Sequence, residues 1–274
     1  MTDSYAVIGN PVEHSLSPWI HNAFAQQTGE DIAYEKLTAP RDSFESVARR
    51  FLAAGGRGLN VTVPFKLDAY DFADRLTERA RAAGAVNTLA LQRDGGMLGD
   101  NTDGAGLVAD IRENLAWPIA GQRILIVGAG GAARGALLPL LEQQPLRVHI
   151  ANRTAARAER LAREFARQGT LTGGGFEGLS EPFDLIINAS SASLSGDLPP
   201  LSERLVTPSS HVYDMVYGAE PTPFMAWAAA FGAATSDGLG MLVGQAAESF
   251  MLWRGVRPET GPVLRELRVQ LQAR

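Results

Sequence analysis

Lys66 of this 274-residue chain is a candidate for exchanging a proton during a reaction. It ends the stretch NVTVPFK, and the only other lysine is Lys36, although lysines and arginines together number 25. Arginine keeps its proton at any accessible pH, whereas a desolvated lysine can lose it, so lysine and not arginine can act as a general acid or base. Lys36 lies beside Glu35 with no polar cluster nearby in sequence, which fits a solvated strand position. Composition alone leaves Lys66 either catalytic or solvated.

Polar side chains recur in short stretches where the chain is expected to leave a strand or begin a helix. Ser17 precedes Pro18 and is predicted to cap a helix, but a helix N terminus also attracts anions, so capping and carboxylate binding are compatible. Asn87 could equally satisfy backbone groups only. Together the stretches indicate a polar ligand site at strand ends. The candidates are Ser15 and Ser17 in EHSLSPW, Asn60 and Thr62 in NVTVPFK, Asn87 in AVNT, Asp103 in GDNTDG, and Gln245 in DGLGMLVGQAAES.

A glycine-rich turn predicts a nucleotide site. In ILIVGAGGAARG, Gly128, Gly130 and Ala133 form the pattern G-x-G-x-x-A directly after an expected strand and at the start of an expected helix. Gly128 permits the tight turn, Gly130 lets a pyrophosphate approach the backbone, and the helix N terminus supplies donors. The alternative, a turn that serves helix packing only, is disfavoured by the full β-α-β context.

The residues after the next expected strand indicate which dinucleotide binds. An NAD-binding protein usually carries Asp or Glu there, whereas this chain has Asn152, Arg153 and Thr154, with Arg157 one helical turn later. Two arginines could bracket a 2′-phosphate, although Arg157 could also be a solvated helix residue. A hydrogen bond to a charged group contributes about 1.5–3 kcal/mol, so one such contact favours NADP over NAD about tenfold or more. The sequence therefore predicts NADP(H).

Composition excludes several other classes of protein. The net charge is −5, no arginine run resembles a nucleic-acid arm, and no apolar stretch approaches the length of a membrane span. The N terminus lacks the pattern of a secretory signal, and the absence of cysteine excludes disulfides and thiol nucleophiles. The four histidines are not spaced as metal ligands, so no metal is expected. We expect a cytoplasmic enzyme acting on a small molecule, without nucleic acid or membrane as partner, as monomer or homodimer.

Short β-rich runs alternate with helical patterns, which is typical of open α/β sheets with a parallel core. Strong β-α-β steps begin after Gly104, and an apolar helical stripe after residue 238 is expected to return to the first domain. We therefore predict two domains. Residues 1–103 plus 239–274 would form an open mixed α/β substrate-binding and catalytic domain, and residues 104–238 a Rossmann-like, doubly wound NADP-binding domain.

Taken together, the motifs closely resemble those of the shikimate dehydrogenase family. The resemblance covers essentially the whole chain, with the motifs in family order: GNPVEHSLSP, NVTVPFK, GAVNT, GDNTDG, GAGGAARG, NRT, YDMVY and DGLGMLVGQAA. It implies a reversible, NADPH-dependent reduction of 3-dehydroshikimate to shikimate in aromatic amino-acid biosynthesis. It also implies a substrate domain built from both chain ends, a nucleotide domain between them, and an active site in the cleft.

The resemblance implies a role for each matching residue. Lys66 and Asp103 would be the acid/base pair. The substrate residues would be Ser15 and Ser17 at the carboxylate, Thr62, Asn87 and Gln245 at ring hydroxyls, and Asn60 and Tyr217 nearby. The cofactor residues would be Gly128, Ala129, Gly130, Gly131 and Ala132 at the pyrophosphate, Asn152, Arg153, Thr154 and Arg157 at the 2′-phosphate, and Met215, Gly238 and Met241 at the nicotinamide.

Two rival interpretations remain at this stage. The chain could be a quinate/shikimate dehydrogenase that accepts both acids and both nicotinamide cofactors, although Ser17 and the arginines favour the NADP-linked shikimate enzyme. It could instead be a non-catalytic NADP-binding sensor, against which the retention of Lys66 and Asp103 argues. The sequence does not decide whether Lys66 transfers the proton or mainly stabilises charge.

Overall fold

A computed structural model describes residues 2–273 as two compact α/β units. The first unit comprises Met1–Gly106 and Val243–Val263, and the second comprises Leu107–Leu242 and Leu264–Arg274. Within residues 2–273, no helix combines the length and the apolar character needed to cross a membrane.

The first unit is built on a six-stranded mixed sheet with the order β2-β1-β3-β5-β6-β4. Strands β2, β1 and β3 are parallel, and β5 is antiparallel to both of its neighbours. Phe44, Leu59, Phe65 and Leu89 pack together in its core, so β3 and the turn after it are firmly anchored. Its elements are β1 (Asp3–Gly9), α1 (Ser17–Thr28), β2 (Ile32–Thr38), α2 (Phe44–Ala53), β3 (Gly56–Val61), α3 (Lys66–Phe72), β4 (Arg75–Leu76), α4 (Glu78–Ala83), β5 (Thr88–Leu91) and β6 (Met97–Asp100).

The second unit contains a six-stranded parallel sheet with the order β12-β11-β10-β7-β8-β9. The chain runs outward from β7 in both directions, which is the doubly wound arrangement, and β7 itself is almost completely buried. The remaining elements are α5 (Asp103–Ala109), a π-helical turn (Asp110–Asn114), β7 (Arg123–Val127), α6 (Gly131–Leu141), β8 (Arg147–Ala151), α7 (Ala155–Glu164), β9 (Leu171–Gly174), β10 (Leu185–Asn188), β11 (His211–Asp214), α8 (Pro223–Ala229), β12 (Ala234–Ser236), α9 (Leu239–Arg254) and α10 (Thr260–Gln272).

The predicted fold class is confirmed: a mixed α/β unit and a doubly wound parallel unit are both present. The unit boundaries differ from the predicted ones at the C-terminal end. The sequence assigns residues 239–274 to the substrate domain, whereas residues 239–242 and Leu264–Arg274 group with the second unit. The physical reason is visible at Arg268, which donates to Asp237 Oδ2 at 2.8 Å and to the Gly218 carbonyl at 3.1 Å. An apolar pattern shows that a helix needs a surface but does not identify which surface covers it.

Candidate active site

Lys66 and Asp103 form an ion pair in the first unit. Lys66 Nζ lies 2.6 Å from Asp103 Oδ2, and the side chains are 33% and 20% exposed. Lys66 begins α3 directly after the buried Phe65. The dipole of α3 disfavours a positive charge at its first position. The ammonium of Lys66 is therefore stabilised by the carboxylate of Asp103 and not by the helix. Because both side chains remain partly exposed, a ligand can reach the pair.

Asn87 holds the other oxygen of this carboxylate. Its side-chain Nδ2 donates to Asp103 Oδ1 at 2.8 Å, and it lies 3.4 Å from Gln245 Oε1. Its Oδ1 accepts from the Thr102 N–H at 2.9 Å and from Thr88 Oγ1 at 3.0 Å. Asn87 therefore does satisfy a backbone group, as the alternative interpretation held, but it also orients the predicted catalytic carboxylate. The structure brings Lys66, Asp103, Asn87 and Gln245 together as the sequence predicted.

The two serines of EHSLSPW lie next to each other at the start of α1. Ser15 Oγ donates to Ser17 Oγ at 3.1 Å, and the Ser17 N–H donates to Ser15 Oγ at 3.3 Å. The prediction that Ser17 caps the helix is wrong: Leu16 occupies the cap position, and no side chain caps this helix end. Ser17 is already the first helical residue, followed by Pro18. Its hydroxyl is thus not used for capping.

Asn60 and Thr62 differ in exposure although both come from NVTVPFK. Asn60 is 5% exposed, and its amide contacts Tyr34, His21 and Ser249. Its predicted direct contact with substrate stays a prediction, whereas its part in an internal hydrogen-bond network is observed. Thr62 follows β3, is half-buried, and donates its backbone N–H to the Ile8 carbonyl at 3.0 Å.

A buried charge cluster fixes the segment that precedes Asp103. Asp100 is 1% exposed and accepts from Arg79 Nε at 2.8 Å and from Arg79 Nη2 at 2.6 Å. Arg79 also donates to Glu248 Oε2 at 2.9 Å. Burial opposes the charge of Arg79, but its bonds to Asp100 and Glu248 outweigh this and raise the pKa of the guanidinium. The cluster connects β6 with α9, which carries Gln245.

The predicted nucleotide loop lines a cavity of about 780 Å³ within the second unit. Gly128 has a φ of +110°, a conformation that favours glycine, and follows β7 as the fingerprint requires. Thr154 occupies the cap position of α7 without a side-chain capping bond. The predicted residues that line the cavity are Gly128, Ala129, Gly130, Gly131, Ala132, Asn152, Arg153, Arg157 and Met215.

Gly130 shows that this loop fits a dinucleotide. A Cβ atom built on Gly130 would meet no protein atom within 4 Å, and the same holds for Gly131. The packing of the described residues therefore does not require glycine at either position. A phosphate that approaches the backbone does require it, and the start of α6 supplies N–H donors there. The loop and the cations of Arg153 and Arg157 together suit NADP(H).

Close backbone approaches shape the residues predicted for the nicotinamide. A Cβ on Gly238 would lie 2.1 Å from the Met215 carbonyl oxygen, so only glycine fits there. The Met241 N–H donates to the Tyr213 hydroxyl at 3.2 Å, which fixes the start of α9. Met215, Gly238 and Met241 thus lie near one another within the second unit.

A buried carboxylate supports the same helix start. Tyr213 donates its hydroxyl to Asp110 Oδ2 at 2.7 Å, and Asn114 donates to Asp110 Oδ1 at 2.8 Å. Burial raises the pKa of Asp110 despite these two bonds. A Cβ on Gly240 would lie 1.9–2.2 Å from the Asp110 carboxyl atoms. The carboxylate therefore occupies the space that a side chain at position 240 would need.

Tyr217, predicted at the substrate, belongs to the second unit. Burial, with a smaller contribution from the charge of Asp237, raises the pKa of its phenol. The grouping of Tyr217 with the substrate residues of the first unit stays a prediction.

Three family models match the chain along most of its length. They are "Shikimate dehydrogenase substrate binding domain" at residues 7–89, "Shikimate / quinate 5-dehydrogenase" at residues 110–195, and "Shikimate 5'-dehydrogenase C-terminal domain" at residues 238–268.

Full-length relatives agree with these matches. The chain is 58% identical to "Shikimate dehydrogenase (NADP(+))" of Cupriavidus necator, over 99% of this chain and 95% of that protein. It is 59% identical to the protein of the same name from Herminiimonas arsenicoxydans, over 99% of each. The chain belongs to the shikimate dehydrogenase family.

A solved structure supports the family assignment from its fold. The shikimate 5-dehydrogenase of Thermus thermophilus, in complex with NADP(H) and shikimate, superposes with a TM-score of 0.87 at 32% identity, covering 98% of this chain and 100% of the other. The family assignment predicted from the sequence is confirmed.

In this member of the shikimate dehydrogenase family, sequence reasoning missed the residues behind the site. His21, Tyr34 and Ser249 touch the predicted site residue Asn60, and Arg79 holds Asp100, three positions before Asp103. The sequence motifs assign none of the four a role. One signal was available for His21, which follows Ser17 by four positions and so lies on the same face of α1. The others come from distant segments, and no local pattern connects them with the site.

Proposed function

We propose that this chain catalyses the reversible, NADPH-dependent reduction of 3-dehydroshikimate to shikimate in aromatic amino-acid biosynthesis. The observation that carries the proposal is the ion pair between Lys66 and Asp103, with Nζ 2.6 Å from Oδ2 and Asn87 on the other carboxylate oxygen. Reduction of a ketone to an alcohol needs a hydride and a proton, and this pair can supply the proton. The full-length relatives carry the corresponding NADP-linked name.

The chemistry divides between the cofactor and the pair. NADPH, when bound, supplies the hydride for the carbonyl carbon. As negative charge develops on the carbonyl oxygen, Lys66 donates a proton or a charged hydrogen bond to it. Asp103 holds the ammonium in position, and Asn87 prevents the carboxylate from turning away.

The polar residues around the pair suit a hydroxylated ring acid. Ser15 and Ser17, adjacent at the start of α1, would bind the carboxylate through their hydroxyls, aided by the N–H groups of that helix end. Thr62, Asn87 and Gln245 would bind ring hydroxyls. A site built for hydrogen bonds strongly rejects analogues that lack the matching group, which would give the enzyme its selectivity.

The cofactor would bind in the cavity of the second unit. Its pyrophosphate would lie on residues 128–132 and its 2′-phosphate between Arg153 and Arg157, with Asn152 and Thr154 as further donors. Met215, Gly238 and Met241 would contact the nicotinamide. In this proposal the first unit binds the acid and the second binds NADP(H), in the cytoplasm, as a monomer or homodimer.

A turnover assay tests the proposal and separates its rivals. The purified chain should oxidise NADPH in the presence of 3-dehydroshikimate, and should reduce NADP with shikimate much faster than NAD with quinate. Comparable rates with both acids and both cofactors would instead identify a quinate/shikimate dehydrogenase. Binding of NADPH with no turnover of either acid would identify the non-catalytic sensor.

A further inference from the structure

Asn60 is the centre of a buried hydrogen-bond array that the catalytic proposal does not use. Its Oδ1 accepts from the Tyr34 hydroxyl at 2.7 Å and lies 3.0 Å from His21 Nε2. Its Nδ2 donates to Ser249 Oγ at 2.9 Å and to Thr88 Oγ1 at 3.2 Å. We call these five residues the Asn60 array.

The amide of Asn60 has a defined orientation. On one side its Nδ2 lies 3.4 Å from the Asn87 carbonyl, which can only accept a hydrogen bond. The amide oxygen must therefore face the other side, where Tyr34 and His21 both supply donors. For His21 this requires the neutral tautomer with the proton on Nε2. Burial lowers the pKa of His21 to about 3, which keeps the imidazole neutral.

This orientation is passed on to the catalytic carboxylate. Because Thr88 Oγ1 accepts from Asn60, its own proton is free for Asn87 Oδ1, 3.0 Å away, or for Ser249 Oγ, 2.8 Å away. With Oδ1 held by Thr88 and by the Thr102 N–H, Asn87 presents its Nδ2 to Asp103, 2.8 Å away. A reversed Asn60 amide would draw the Thr88 proton away from Asn87, whose Oδ1 would then keep only the Thr102 donors.

The array also reaches the predicted carboxylate-binding residue at its other end. Burial raises the pKa of the Tyr34 hydroxyl, and the nearby Ser17 opposes this rise. The Tyr34 ring stacks on His21 with centroids 4.4 Å apart and planes 8° apart. Phe24 and Trp253 also pack against the imidazole, with centroids at 6.1 Å and 5.2 Å. The aromatic packing leaves the imidazole and the phenol little freedom to move.

We propose that His21 and Tyr34 are positioning residues of the substrate site, which fix the Asn60 amide and, through it and Thr88, the donors that Asn87 offers. The inference rests on the proposed function, since it assigns those donors to the acid substrate. Neither residue touches the substrate in this assignment; each acts through Asn60.

Tyr34→Phe tests this with a matched control in the same sheet. Tyr5 pairs with Tyr34 in register between β1 and β2, is similarly buried, and accepts a hydrogen bond on its hydroxyl from Arg254 at 3.3 Å. We expect Tyr34→Phe to raise KM for 3-dehydroshikimate about tenfold, with kcat lowered less than about threefold and KM for NADPH unchanged. Tyr5→Phe should leave all three constants within about twofold of wild type.

Two His21 variants separate positioning from packing. His21→Gln keeps a donor near the Nε2 position, whereas His21→Phe keeps a ring and loses the donor. We expect KM for the acid within about threefold of wild type for His21→Gln and about tenfold higher for His21→Phe. If His21 had only a structural role, the two variants could differ in thermal stability, but their KM values for the acid would be equal.

The outcomes are distinguishable from failure of the proposed function. An inactive wild type overturns the proposed function and the inference with it. An active wild type whose Tyr34→Phe variant behaves like Tyr5→Phe overturns the inference alone, as does an equal KM for the two His21 variants. If His21→Phe does not fold, the comparison of Tyr34→Phe with Tyr5→Phe decides.

Discussion

The groups predicted to bind the acid and those predicted to bind the cofactor are held in opposite ways. In the first unit, Ser17, Asn60 and Asn87 are at most 8% exposed, and their side chains are hydrogen-bonded to other side chains. In the second unit, Gly130, Gly131 and Ala132 of the glycine loop are exposed, as is Arg153. Side chains that are already oriented lose little conformational entropy when the substrate binds, and they can distinguish neighbouring hydroxyls of its ring. Binding of a phosphate needs fewer pre-oriented side chains, because backbone N–H groups and flexible cationic side chains are sufficient.

The largest effect on catalysis is expected at Lys66, the proposed proton donor of the first unit. Lys66→Ala should lower kcat roughly 10²–10⁴-fold, because the developing alkoxide loses its proton donor. Lys36→Ala is the matched control, since that exposed lysine donates only to the Glu13 carbonyl among the contacts described. Steady-state kinetics with thermal melting of both variants makes the comparison.

A kcat of Lys66→Ala within a few-fold of wild type would remove this residue from the mechanism. Lys66→Arg refines the result, because it keeps the charge and blocks proton release. Full activity in that variant would leave Lys66 only the stabilisation of charge.

A second expected effect concerns the acid sensitivity of the buried array. The pKa of His21 is lowered from an ordinary 6.5 to about 3, so between these values only the unfolded chain binds the proton. Its stabilising contribution is complete above pH 6.5 and is lost as the pH falls towards 3. At pH 5 the loss from this residue is about 2 kcal/mol.

Urea unfolding at pH 7 and pH 5 measures this loss. His21→Gln should show a smaller drop in unfolding free energy between the two pH values than wild type, by about 2 kcal/mol. His14→Gln, at an exposed position, should show the wild-type drop. Parallel pH profiles for wild type and His21→Gln would contradict a neutral buried imidazole.

The exposed cations of the second unit should give a smaller and more selective effect. Arg153→Ala should weaken NADPH about tenfold more than NADH, because only NADPH carries the 2′-phosphate. Arg163→Ala, near the end of α7, is the control, since its side chain is 71% exposed and 3.9 Å from Glu159. Equal losses of both cofactors in fluorescence titration would contradict the 2′-phosphate assignment.

The smallest expected effect tests the open space above the glycine loop. Gly130→Ala should raise KM for NADPH roughly threefold to tenfold while leaving thermal stability unchanged or slightly higher. Gly238→Ala should instead lower the melting temperature, because its Cβ would collide with the Met215 carbonyl oxygen at 2.1 Å. A Gly130→Ala variant that melts early would show that packing, and not the cofactor, requires that glycine.

The same contrast explains how much could be predicted from the sequence. The nucleotide loop is a local pattern, and a strand, a turn and a helix start in sequence order are enough to recognise it. Lys66 and Asp103 can be found because one is a rare residue type and both belong to family motifs. The α/β class follows from alternating strand and helix patterns.

The array behind the acid site could not be predicted in this way. Tyr34 reaches Asn60 across 26 positions, and Ser249 reaches it across 189. Tertiary packing alone brings these residues together, and a buried tyrosine or histidine reads in sequence as ordinary core. The grouping of α10 with the second unit likewise depends on residues that are far apart in sequence, since Arg268 pairs with Asp237.

The carboxylate of Asp110, in the space that a side chain at position 240 would fill, has a consequence for laboratory evolution of this enzyme. A library that varies position 240 alone should return only glycine, because every other residue would overlap the carboxyl atoms. A library that varies positions 110 and 240 together can exchange the pair for a smaller residue and a larger one. Other side chains at the start of α9 can therefore be obtained by changing positions 110 and 240 together, but not by changing position 240 alone.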